Sequence, residues 1–146
     1  MEYADGGDAF QKIKFHQDDG TNPKEIDVWN ILIQVTKGLS QLHQMDIMHR
    51  DLKSANVFLF KSGEVKLGDL NVSKLMKNSL EYTQTGTPYY ASPEVWNEEP
   101  YDTKSDIWSL GCVIYEIASL CLPFQASNMD ELYEAVNRGL FDSIPD

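Results

Sequence analysis

His49, Arg50, Asp51, Lys53 and Asn56 fall within eight consecutive residues, and Asp69 follows after a short interval. Together they offer a carboxylate, an ammonium, an amide and a second carboxylate at fixed spacing. Transfer of a phosphoryl group asks for such a set, because the protein contributes orientation and charge compensation more than covalent chemistry. Asp51 would orient an attacking hydroxyl, and the amide oxygen of Asn56 would hold a metal ion against phosphates. Lys53, two residues after the first carboxylate, would place its ammonium beside the transferring group and offset developing negative charge. Asp69 would supply the second metal-binding carboxylate.

Elements on either side must hold these residues in place. Asn22-Pro23-Lys24-Glu25 reads as a helix start, with Asn22 as N-cap, proline at the first helical position and Glu three residues after the cap. Val28, Leu32, Val35, Leu39 and Leu42 then recur at spacings of four and three, which predicts a long amphipathic helix ending before Asp46. Val57 to Phe60 and Val65 to Leu67 flank the turn-rich Lys61-Ser62-Gly63-Glu64, the pattern of a β-hairpin with Asn56 and Asp69 at its two ends. From Asn71 to Pro100 periodicity is lost, and Gly86, Pro88 and Pro93 suggest a long ordered loop. Thr103 to Leu120 is apolar on most sides, through Ile107, Trp108, Leu110, Val113, Ile114, Tyr115 and Ile117, so a helix buried nearly all round is expected. Asn128-Met129-Asp130-Glu131 opens a last helix with Leu132, Tyr133 and Val136 as its apolar face.

Composition narrows the function classes. The chain has 146 residues, and 12 Lys and Arg against 23 Asp and Glu give a net charge of −11. Such a surface repels phosphate backbones and anionic lipid, so neither nucleic acid nor membrane is expected as a partner. Apolar runs stay far below the ~18 residues of a bilayer span, and the acidic start lacks the features of a secretory signal. Cys112 and Cys121 show no CxxC or Cys/His spacing, which points away from disulfide and zinc frameworks and toward a reducing intracellular setting.

Two further segments, Gly86-Thr87-Pro88-Tyr89-Tyr90-Ala91-Ser92-Pro93-Glu94 and Asp106-Ile107-Trp108-Ser109-Leu110-Gly111, follow His49 to Asn56 and Asp69 in the order seen in protein kinases. The chain resembles the C-terminal lobe of a eukaryotic protein kinase. Asn56-Val57-Phe58-Leu59 together with Gly86-Thr87-Pro88-Tyr89-Tyr90 is most similar to the NIMA-related serine/threonine kinases. The resemblance implies an α+β fold, mainly α-helical, with a small β-hairpin at the catalytic loop. It implies transfer of the ATP γ-phosphate to Ser or Thr of protein substrates, with ATP and Mg2+ as cofactors. Asp51 would be the base, Lys53 the electrostatic stabiliser, and Asn56 and Asp69 the metal ligands.

Other roles follow from the same resemblance. Met1 to Asp8 is similar to the hinge, with adenine bonded to the backbone of Glu2 and Ala4, Met1 as gatekeeper and Asp8 near the ribose. Phe58 would floor the adenine. Lys53 and Thr87 resemble the serine/threonine branch, and Val72 resembles the β-branched residue that accompanies threonine preference. Thr83 stands at an activation-loop position where a phosphate, placed by an upstream kinase or by self-phosphorylation, would pair with Arg50. His49 and Glu94 are structural, Glu94 anchoring the loop, and Asp106 is the buried carboxylate that braces the catalytic turn. A cytoplasmic location near cilia, centrosome or microtubules is implied as well.

Departures stand beside the match. Asp-Phe-Gly becomes Asp69-Leu70-Asn71, in which Leu70 is expected to fill the apolar slot and Asn71 to tolerate a positive φ. Ser92 stands where alanine is common, and its small side chain should fit. No Gly-rich phosphate loop, no Val-Ala-Ile-Lys strand and no helix bearing the partner Glu is read in these 146 residues, so none is expected before Met1. The resemblance therefore implies a partial domain over 1–146, from the hinge to the helix around Leu132, without the small lobe or the last helices of the large one. Poor ATP affinity of the isolated chain is expected, together with a destabilising Glu94 that lacks the arginine partner of the family. Two alternatives to catalysis follow: a non-catalytic module binding partners through Thr83 to Glu94, or an incomplete gene product.

Overall fold

The computed structural model describes residues 2–70, 74–75 and 88–144. Helix α2 (Glu25–Gln44) packs against α4 (Thr103–Ser119), and this pair forms the axis of a mainly helical body. Ile31, Val35 and Leu39 of α2 meet Leu110, Val113 and Ile117 of α4 in one buried cluster. The expected stripe on α2 is present, with Val28, Leu32 and Leu42 packed at the margin of that cluster. The start differs from expectation. Lys24 occupies the N-cap without a side-chain cap bond, and Pro23 lies outside the helix. The first turn instead carries Glu25 and Asp27, whose charges suit the helix N-terminus.

Helix α1 (Ala9–Asp19) has no counterpart in the sequence reading. Only Ala9 and Ile13 of its residues are buried, so hydrophobic periodicity is too thin to announce it. Its signal is at the ends: Asp8 Oδ1 accepts the Gln11 N–H at 2.8 Å, and Gly20 closes the helix with φ of 64°. Gln17 Nε2 donates to the Leu120 carbonyl at 2.6 Å and ties α1 to the end of α4.

Strands β2 (Val57–Leu59) and β3 (Val65–Leu67) form the antiparallel hairpin in the register Val57 with Leu67 and Leu59 with Val65. Helix α2 clamps its turn, since Asn30 and Gln34 both donate to the Gly63 carbonyl and Gln34 Oε1 accepts the Val65 N–H. The segment before α1 lies along β2 through Gly6 N–H to Leu59 O and Leu59 N–H to Gly7 O. A Cβ on Gly6 would meet the Leu59 oxygen at 2.7 Å, so this close approach requires glycine.

A second antiparallel pair joins β1 (Ile47–Met48) to β4 (Lys74–Leu75). The stretch 71–100 is therefore more than a loop: besides β4 it contains a 3-10 turn at Pro88–Tyr90 and the short helix α3 (Pro93–Trp96). Proline opens each of these turns, because its fixed φ suits a first helical position. Helix α4 is buried around most of its circumference. Ile107, however, is 46% exposed and shares a narrow outer stripe with Lys104 and Gly111. Helix α5 (Met129–Arg138) begins at Asn128 as read, the Asn128 side chain accepting the Glu131 N–H, and buries Leu132 and Val136 against Cys112 and Phe124.

Candidate active site

The carboxylate of Asp106 organises the turn that carries Asp51. One oxygen accepts the His49 N–H at 2.9 Å and the His43 Nε2–H at 2.8 Å, while the other accepts the Arg50 N–H at 2.9 Å. Asp106 is 1% exposed, so these three donors replace the water that its charge gave up. The His49 ring is buried, and its Nε2 lies 3.1 Å from the Gly68 carbonyl. A carbonyl only accepts, so Nε2 carries the proton. The bond links the turn to the end of β3.

Beyond that turn, Lys53 Nζ lies 2.8 Å from Asp51 Oδ2. Asn56, in the 3-10 turn Ser54–Asn56, donates its Nδ2 to the Asp51 carbonyl at 2.7 Å and to Oδ2 at 3.1 Å. Both donations orient the amide and leave its oxygen without a hydrogen bond among the described residues. The Gly68 N–H donates to the Asn56 carbonyl at 3.0 Å, so Asn56 and Asp69 flank the same open end of the hairpin. Asp69 adopts φ of 57°, which ends the line of β3. Residues 1–144 match the family model of the protein kinase domain.

The chain belongs to the protein kinase domain family. It is 44% identical over 147 residues to the serine/threonine-protein kinase Nek3 of Mus musculus, covering 99% of this chain and 28% of that protein. Against Nek5 of Mus musculus the identity is 44% over 142 residues, with 95% of this chain and 22% of the relative covered. The probable serine/threonine-protein kinase nek2 of Dictyostelium discoideum is 40% identical over 149 residues, with 99% and 36% covered. These likenesses make it a NIMA-related kinase domain, and the chain spans a minor part of each relative's length.

No group of three or more His, Cys, Asp or Glu residues is arranged around a metal position among the described residues. The Asn56 amide oxygen and the Asp69 carboxylate, on residues at one hairpin end, are of the oxygen-donor type that would suit Mg2+, an ion that keeps waters and takes further ligands from substrate phosphates. The hinge-like residues run beside the same hairpin. Glu2 pairs with Lys66 at 2.6 Å, which raises the Lys66 pKa, and the Ala4 carbonyl accepts the Gly7 N–H. Asp8 is bridged to Phe58 and spends one carboxylate oxygen as the cap of α1. The Phe58 ring covers Gly68 so closely that a Cβ there would fall 2.3 Å from Cε2.

One expectation is corrected. Leu70 does not fill an apolar slot: it is 46% exposed, carried outward by the left-handed turn at Asp69. Glu94 has no arginine partner among the described residues, and it accepts the Ser105 hydroxyl at 2.6 Å. Arg50 places its guanidinium 5.5 Å from the Tyr101 ring centre, a cation–π contact. Met1, Asn71, Val72, Thr83 and Thr87 lie outside the described residues.

Sequence reading missed a buried network that joins three elements. Ser54 donates to the Tyr90 hydroxyl at 3.1 Å, and Tyr90 donates to Glu116 Oε2 at 2.7 Å. Burial raises the pKa of both Tyr90 and Glu116, with the Tyr90 hydrogen bond opposing the rise at Glu116. A carboxylate inside the apolar run Ile114-Tyr115-Glu116-Ile117 was the available signal.

Proposed function

We propose that this chain is the large lobe of a NIMA-related serine/threonine kinase that transfers the γ-phosphate of Mg-ATP to Ser or Thr of protein substrates. The observation that carries the reading is the convergence of Lys53 Nζ and Asn56 Nδ2 on one oxygen of Asp51. Asp51, oriented from two sides, accepts the hydrogen of the acceptor hydroxyl. Lys53 is close enough to that carboxylate to offset charge on the transferring group. Asn56 and Asp69 hold Mg2+, which neutralises phosphate charge when bound. Phe58 floors the adenine, the Glu2 and Ala4 backbone bonds it, and the second Asp8 oxygen serves the ribose. Thr83, once phosphorylated, pairs with Arg50, and Thr87 and Val72 bias the site toward hydroxyl acceptors and threonine.

The test is phosphate transfer from Mg-ATP by the intact native protein to a matched pair of peptides that differ only in Ser or Thr. Transfer that favours threonine and vanishes with Asp51→Ala is expected. Transfer that survives Asp51→Ala would remove Asp51 from the mechanism. An absence of transfer would favour a binding module acting through Thr83 to Glu94.

A further inference from the structure

Gly68 follows β3 directly and is held at both backbone groups. Its N–H donates to the Asn56 carbonyl at 3.0 Å, and its own carbonyl accepts the His49 Nε2–H at 3.1 Å. Its φ is not among the left-handed angles of the chain, so backbone conformation does not call for glycine at this position. The neighbouring ring does. A Cβ at 68 would fall 2.3 Å from Phe58 Cε2, 2.7 Å from Cδ2 and 3.5 Å from Cζ, so one edge of the ring stands where a side chain would begin. Phe58 pairs with Lys66, two residues before Gly68, and a diagonal cross-strand neighbour is within reach of an aromatic ring. Val57, Leu59, Val65 and Leu67 turn to the core, which puts Phe58, Lys66 and Gly68 together on the opposite side of the hairpin. The strand that carries Phe58 is fixed as well: it is paired to β3, bridged to Asp8, and tied by the Leu59 N–H to the Gly7 carbonyl. With both backbones held, any side chain at 68 must turn the half-buried Phe58 ring about its own torsions.

We propose that Gly68 is a positioning residue that acts through Phe58: the space left by its missing Cβ receives the ring edge and so sets the depth of the site for the nucleotide base. The proposal deepens the kinase reading and rests on it, since the ring is the floor of the adenine only under that reading. A methyl group at 68 would swing the ring out of its seat and into the volume of the base, and the loss would fall on nucleotide affinity. Asp51, Lys53 and the Asn56 side chain hold one another through bonds that do not involve Gly68, so the transfer step keeps its geometry.

The experiment measures steady-state kinetics with Mg-ATP and a threonine peptide for the intact protein, for Gly68→Ala, for Phe58→Val and for the double variant. Valine suits a strand and lacks all three ring atoms that a Cβ at 68 would meet. Gly68→Ala should raise the ATP KM about tenfold, with kcat and the peptide KM level. Phe58→Val weakens the floor in its own right, and adding Gly68→Ala to it should change the ATP KM little further. An equal rise in both backgrounds would mean that residue 68 acts through its backbone or through the neighbouring Asp69, and would overturn the proposal. An ATP KM untouched by Gly68→Ala would overturn it too. NMR of phenylalanine-labelled protein reads the ring directly and needs no phosphate transfer. The Phe58 resonance, identified by its loss in Phe58→Val, should move in Gly68→Ala, and a resonance that stays in place would remove the steric premise. A displaced resonance in a protein that binds no Mg-ATP would instead strike the kinase reading, and with it the consequence for the nucleotide. Should Gly68→Ala fail to fold, recovery of the fold in the double variant would support the contact, and continued failure would overturn it.

Discussion

The Arg50 N–H donates to Asp106 Oδ1 at 2.9 Å, and Arg50 takes a left-handed φ of 67° to make that bond. For a side-chain-bearing residue this conformation costs on the order of 1 kcal/mol. A charge-assisted bond to a buried carboxylate contributes roughly 1.5–3 kcal/mol, enough to offset it. The neighbouring His49 N–H on Oδ2 adds to the same hold, and the two bonds turn the chain so that Asp51 follows directly.

Asp106→Asn is expected to lower stability by about 3 kcal/mol. The amide has one accepting oxygen where the carboxylate has two, and its NH2 would face an N–H donor. Urea denaturation followed by intrinsic fluorescence measures the difference. A midpoint equal to that of the unsubstituted protein would show that the turn holds its shape without the carboxylate.

On the proposed mechanism, Lys53→Met is expected to lower kcat by about 10²-fold, since it would remove a cation from beside the transferring group. The apolar stem is retained, so the peptide KM should stay level. An equal loss in KM and none in kcat would assign Lys53 to binding instead.

The two cysteines should differ sharply toward alkylating reagents. Cys112 is buried against Phe124, and burial pushes its pKa up to about 12. At pH 8 its thiolate fraction is then on the order of 10⁻⁴, too small for rapid attack. Cys121 is exposed. Brief iodoacetamide treatment of the native protein should label Cys121 alone by mass spectrometry, and labelling of Cys112 at a similar rate would contradict the packing of α4 against α5.

Burial raises the pKa of Glu116 above its ordinary 4.5. The folded protein then binds this proton more readily than the unfolded chain does, so this group's contribution to stability falls as pH rises from 4.5 through the folded value. Ionising this buried carboxylate as pH rises is a burden that acid relieves. Glu116→Gln keeps an acceptor for Tyr90 without the charge. Its Tm should equal or exceed that of the unsubstituted protein at pH 7.5, and the gap should close as pH approaches 4.5. Thermal denaturation at the two pH values tests the sign, and a gap that widens on acidification would reverse it.

Much of the site was readable along the chain because its parts are local. Asp51, Lys53 and Asn56 meet through a turn of a few residues, so spacing alone brought them together. The stripe on α2, the hairpin around Gly63 and the Asn128 cap of α5 likewise depend on neighbours within one turn or one strand pair. Helix α1 was missed, because its two buried residues make no visible stripe and its signal is confined to Asp8 and Gly20 at its ends.

Which distant groups complete those local pieces was settled by packing. Asp106 reaches His49 across 57 residues, Glu116 reaches Tyr90 across 26, and Ser105 reaches Glu94 across 11. Periodicity and capping act over three or four residues and hold no record of such pairs. They arise once α2 closes on α4 and buries polar side chains that must then find partners. The sequence by itself determined the catalytic residue types, their spacing and the helices that carry them. The tertiary structure decided that one turn of α4, through Ser105, Asp106 and Ser109, would hold both the catalytic loop and the segment beside it, because there buried acceptors and donors from both come within hydrogen-bond reach.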